Sequence, residues 1–128
     1  MRALGQTEFL AQTALELARA GLETGTLEAA RVALAEVLPL AEEANCLPEM
    51  LGQLAQYAQR RGRPFDAARL CGHLGPTSAH AAPALQACRE ALAPAALESA
   101  LMAGASMMRA EVRALAQALL AADIEARH

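Results

Sequence analysis

The chain has 128 residues, 55% apolar and 2% aromatic, with eleven arginines, no lysine, a net charge of −3 and a pI near 5.6. That length suits one domain with a continuous core, and the missing lysine excludes a G-x-x-x-x-G-K-[ST] phosphate loop, Schiff-base chemistry and a lysine general base. A mildly acidic chain whose aromatics are Phe9, Tyr57 and Phe65 lacks both the basic surface of a DNA binder and the stacking rings of a single-strand binder.

In chain order the apolar spacing is helical throughout, with no β-type alternation. Leu10, Ala14, Leu17 and Gly21 recur at intervals of 4, 3 and 4 and predict a first helix from about Glu8 to Ala20, facing inward on that stripe. Leu27, Ala30, Leu34, Val37 and Ala41 predict a second. Thr26 is placed to cap it, and Pro39, which has no backbone donor, should kink or end it. Leu47, Met50 or Leu51, Leu54 and Ala58 mark a third helix that stops near Gly62. A fourth starts at Pro64, a favourable first-turn residue, and carries Ala67, Cys71 and Leu74 inward.

The stretch "GPTSAHAAP" at 75–83 then reads as a loop. Leu85, Cys88 and Leu92 mark a fifth helix, and Pro94 opens a sixth with Leu97 and Leu101 inward and Gly104 as its stop. Ser106 is placed to cap a seventh, on which Met108, Val112, Leu115 and Leu119 repeat the inward spacing. The terminal "DIEARH" should fray. The expected fold is all-α, about seven short helices in one domain over 1–128. It divides into a first hairpin over 8–44, a second over 46–74 and C-terminal capping helices over 78–122.

The first two hairpins repeat. "LARAGLETGTLEAARVAL" at 17–34 parallels "LAQYAQRRGRPFDAARLC" at 54–71. Leu17 pairs with Leu54 and Gly25 with Gly62 at an offset of 37, whereas Glu28-Ala29-Ala30-Arg31 pairs with Asp66-Ala67-Ala68-Arg69 at 38, placing an extra residue in the second turn. Each unit reads as a helix, a glycine turn that permits unusual dihedrals, and a second helix whose alanines allow close packing. The period is close to the 34 residues of a tetratricopeptide unit, with Gly25 and Gly62 at its mid-unit glycine and Ala30 and Ala67 at its small residue. The implied architecture is a tetratricopeptide-like hairpin array, as a right-handed α-α superhelix or an irregular bundle.

From about Leu17 to Leu119 the chain also resembles the C-terminal region of large bacterial signal-transducing ATPases and LuxR-type transcriptional regulators. The resemblance rests on "LAQYAQRRGRPFDAARLCGHL", similar to that family's L-A-x-x-A-x-x-x-G-x-x-x-x-A-A-R-L-x-G-x-x, and on "LQACREAL" and "ALESALMAGASMM" after the Pro-containing linker. Met102 stands where the family often has an aromatic, and Glu111 is what remains of an acidic pair. The resemblance implies a helical region that senses or binds another molecule, with no catalytic residue of its own.

Candidate sites follow from the polar residues. Cys71, His73, His80 and Cys88 have the spacing C-x-H-x6-H-x7-C, which matches no zinc pattern, and a pair two apart on a helix faces opposite ways. They read as core and loop residues, so no metal or cofactor is expected. Glu42 and Glu43 point apart, and neither His73 nor His80 stands in a nucleophile motif, so no enzyme signature is present. Met102, Met107 and Met108 read as core filling, with an adaptable groove as the alternative. Arg60, Arg61, Arg63 and Arg69 read as a solvated turn, or alternatively as a contact for an acidic partner. The expected working surface is the groove between the first helices of the hairpins, drawn from Gln53, Gln56, Tyr57, Arg60, Arg61 and Arg63.

Three cysteines, no apolar leader after "MRALGQTEFL" and an apolar tract at 91–108 broken by Pro94, Glu98 and Gly104 point to a reduced, cytoplasmic protein without a membrane span. The expected function is a non-catalytic module of a bacterial transcriptional regulator. It would bind a protein partner or another domain of the same polypeptide, and would not contact nucleic acid directly. Two alternatives are a small-molecule effector site between the third and seventh helices, and a homo-oligomerising end-cap that exposes an Ala/Leu face of the last helix.

Overall fold

Proline in the first turn sets where four of the helices begin, because its missing N–H goes unused there and its fixed φ is already helical. A computed structural model describes residues 2–75 and 77–121, with side chains from residue 5 onward. The helices are α1 (Arg2–Thr24), α2 (Leu27–Val37), α3 (Leu47–Arg60), α4 (Pro64–Leu74), α5 (Ala82–Ala91), α6 (Pro94–Ala105) and α7 (Arg109–Leu120), with a 3₁₀ turn at Leu38–Leu40. Among the described residues there is no strand, and the all-α expectation holds. Pro39 ends α2 by tightening the chain into the 3₁₀ turn. The expected fraying of "DIEARH" and the terminal position of His128 lie outside the described residues.

The hairpin turns are alike in detail. Gly25 and Gly62 take φ of 80° and 84°, a region that costs an L side chain about 1–2 kcal/mol. The Thr26 N–H donates to Gly21 O at 2.8 Å and the Arg63 N–H to Ala58 O at 2.9 Å. Next, the Ala30 N–H donates to Thr26 O at 3.2 Å and the Ala67 N–H to Arg63 O at 3.0 Å. All these bonds recur at the constant offset of 37, so the extra turn residue is not there. Ala30 matches Ala67, and both are fully buried. The ion pairs Arg31–Glu28 and Arg69–Asp66 have instead moved one step around the helix, since a surface pair is not tied to the turn's hydrogen bonds.

Three local expectations are corrected. α1 buries Ala14 and Gly21 of the expected stripe but leaves Leu10 and Leu17 exposed, and turns Ala11, Leu15, Ala18 and Leu22 inward beside them. At Gly21 α2 comes close, since a Cβ there would sit 2.9 Å from Thr26 O and 3.0 Å from Ala30 N. Thr26 occupies the N-cap of α2, but its hydroxyl makes no cap bond and lies 3.1 Å from the Thr24 hydroxyl. Ser106 ends α6 rather than starting α7; the N-cap of α7 is Met108, largely exposed, whose N–H donates to the Glu111 carboxylate at 2.8 Å.

Gly104 does not stop α6, which continues to Ala105. It lies at the crossing of α6 over α4, together with Gly72. A Cβ on Gly104 would collide with the Arg69 carbonyl, and one on Gly72 with the Leu101 carbonyl. The two helices therefore touch backbone to backbone. α5 packs on α3 and α4, and α7 returns to α2, where an Arg31 guanidinium N–H donates to Leu120 O at 2.9 Å. The outer sides of the second helices, α2 and α4, are thus covered by α7 and α6.

Candidate functional site

Three of the six expected contact residues share one cleft. Gln53, Gln56 and Arg60 of α3 form one wall of a groove of about 260 Å³, with Arg19, Leu22 and Glu23 of α1 opposite and Pro83 of α5 at the end. Glu16 and Ala20 extend the α1 wall as a shallow strip beside Arg19 and Glu23. Glu16, Arg19 and Glu23 stand 37 positions before Gln53, Gln56 and Arg60, the same offset that relates the two glycine turns. A groove between the first helices of the hairpins is as expected; its residues on α1, not named in that expectation, are identified by carrying Gln53, Gln56 and Arg60 back by that offset.

Gln53 is 8% exposed, and its Oε1 has no hydrogen-bond partner. Arg60 reaches across the groove and donates to Leu22 O in the last turn of α1, where carbonyls lack intrahelical donors and the helix dipole favours a cation.

The other three expected residues lie elsewhere. Tyr57 is 1% exposed and belongs to the core, with the Arg61 guanidinium 5.6 Å from its ring centroid. Arg63 and Arg69 both pair with Asp66, at 3.7 and 2.8 Å. The arginines of the second turn each contact another group of the chain, with Arg63 and Arg69 sharing the single carboxylate of Asp66.

A second cavity, of about 320 Å³, lies on the opposite side of α3. At about 100° per residue, Leu47 and Leu51 point away from Gln53, Gln56 and Arg60. Its apolar lining is Leu38, Leu47, Leu51, Val112 and Ala116, from the 3₁₀ turn, α3 and α7. Glu42, His73, Arg109 and Arg113 supply its polar groups. Glu42 forms ion pairs with both arginines, at 3.7 Å from Arg109 and 3.5 Å from Arg113.

The fold separates the four residues of the Cys/His stretch. Cys71 and Cys88 come together between α4 and α5, fully buried, and their sulfurs lie 3.7 Å from Ala81 O and 3.5 Å from Pro64 O. Contact with the Cys88 thiol, and then burial, push the Cys71 thiol well above the usual range, while the same contact draws Cys88 down. Burial likewise raises Cys46. His73 lines the α3–α7 cavity, and His80 is exposed in the 75–81 loop. Among the described residues no three His, Cys, Asp or Glu side chains converge as metal ligands would, and no helix is long and apolar enough to cross a membrane. No family model matches the sequence, and no curated protein or solved structure is significantly similar to it.

Proposed function

We propose that the chain is a non-catalytic, tetratricopeptide-like helical module of a cytoplasmic bacterial regulator, holding a protein segment in the groove between α1 and α3. The observation that carries this reading is Gln53. A buried amide oxygen without a partner is costly in a folded protein, and this one borders a cleft whose walls carry residues at the repeat offset. Turning the Gln53 amide toward the groove would let its oxygen accept a backbone N–H from a segment laid along it. Gln56, Arg19, Glu16 and Glu23 would give it polar and charged contacts on both sides.

The test selects peptides from a displayed random library on the purified chain and measures their affinity by calorimetry. The double variant Gln53→Met/Gln56→Ala should bind the selected peptides at least tenfold more weakly, about 1.4 kcal/mol. Unchanged affinity in a folded double variant would sink the groove reading. Tyr57 is unsuited to such a test, because its truncation would open the core.

A second surface favours a stacked partner, either another domain or another copy. Phe9, Leu10 and Leu17 are 70%, 57% and 59% exposed along α1. One repeat later, Leu54 is fully buried and Leu47 half-buried. A further helical hairpin docked on α1 would cover Leu10 and Leu17. α7, the alternative oligomerising surface, buries Val112, Ala116, Leu119 and Leu120 and leaves Ala110, Ala114 and Ala118 exposed.

A further inference from the structure

We infer that the cavity between the 3₁₀ turn, α3 and α7 binds a small monocarboxylate with an apolar tail, its carboxylate held by Arg109 and Arg113 and its tail among Leu47, Leu51 and Val112. Size sets the first limit. At about 320 Å³ the space lies at the low end of the ~300–1,000 Å³ typical of small-molecule sites. Its apolar lining is drawn from three elements, with Leu38 from the 3₁₀ turn, Leu47 and Leu51 from α3 and Val112 and Ala116 from α7, so the tail of a bound molecule meets hydrocarbon on several sides.

Charge sets the second limit. Two guanidiniums share the single carboxylate of Glu42, which leaves one positive charge in excess. Each guanidinium carries five N–H donors and turns one terminal nitrogen toward Glu42, at 3.5 Å or more, so several donors remain for a ligand. Arg109 and Arg113 are four residues apart on one face of α7 and act on the same point in space. Arg109 also begins α7, where the helix dipole favours an anion. His73, in the last turn of α4, offers a further ring N–H in either tautomer.

One excess charge suits a monoanion better than a phosphate dianion. A neutral alcohol leaves the charge unmatched, and an amine adds to it. The cavity shares no lining residue with the α1–α3 groove, so this inference stands or falls independently of the groove.

The experiment titrates the full chain with sodium octanoate, 1-octanol and octylamine by calorimetry and thermal shift. Octanoate should bind saturably at one site and raise Tm, with the alcohol and the amine at least tenfold weaker. Arg109→Gln/Arg113→Gln should weaken octanoate at least tenfold, and Glu42→Gln, which removes the competing anion, should tighten it. Arg89→Gln, on the exposed side of α5, should leave the affinity unchanged and so separate a local contact from net charge. All three arginines are exposed, so these variants keep the fold. The inference is overturned if octanoate fails to bind saturably, if octanol binds as tightly, or if the double arginine variant keeps its affinity.

Discussion

At Gln53 an amide oxygen is buried without a partner while its neighbours on α3, Leu54 and Ala55, are packed core. An unsatisfied buried acceptor costs roughly 1–3 kcal/mol. Gln53→Met keeps the unbranched shape and removes that acceptor, so it should raise stability to urea by about 1 kcal/mol. A peptide-binding assay on the same variant should show weakened affinity, the trade between stability and function expected of a binding residue. A loss of stability would mean that Gln53 holds the fold rather than serving the groove. At this scale the sequence was partly legible. Gln53, Gln56 and Arg60 share one side of α3 because their spacing is helical. Tyr57 and Arg61 could not be assigned that way, since the burial of a ring on α3 depends on the helices packed around it.

Among the elements, the α4–α6 crossing carries the closest approach. A glycine in a helical stretch reads locally as a stop, because it lowers helix propensity by about 1 kcal/mol relative to alanine. At Gly104 that cost is offset by a contact the local pattern does not contain, with the carbonyl of Arg69 some thirty-five residues away. Gly104→Ala should therefore destabilise by about 3 kcal/mol, at the top of the range for overpacking, because the obstacle is backbone rather than a movable side chain. Gly5→Ala, at a position with nothing within 4 Å, should stabilise by about 0.5–1 kcal/mol. Urea denaturation of the two variants checks both signs. If Gly104→Ala were neutral, the two backbones would not be in contact.

For the whole molecule, the distribution of exposed apolar residues decides how the chain meets its surroundings. α6 and α7 cover the second helices, whereas α1 presents Phe9, Leu10 and Leu17, whose counterparts 37 residues on, Cys46, Leu47 and Leu54, are buried or half-buried. The chain should therefore associate with rising concentration in analytical ultracentrifugation, and Leu10→Glu/Leu17→Glu should sediment as a folded monomer. Concentration-independent sedimentation of the unaltered chain, identical to that of the variant, would remove α1 as a self-docking face.

The sequence by itself determined the all-α class, the positions of the breaks and the repeated glycine turns. Each of these is decided within a few residues, by alanine-rich helical spacing, by prolines that lack a donor and by glycines at positive φ. Only the tertiary structure decided that Leu15 and Leu22, rather than Leu10 and Leu17, join Ala14 and Gly21 in the buried face of α1. The same holds for Gly104 as a crossing point, the constant repeat offset, and the cavity that α7 closes over Leu47 and Leu51. These depend on how closely backbones distant in sequence can approach, and the local pattern of a helix is the same whichever neighbour it meets.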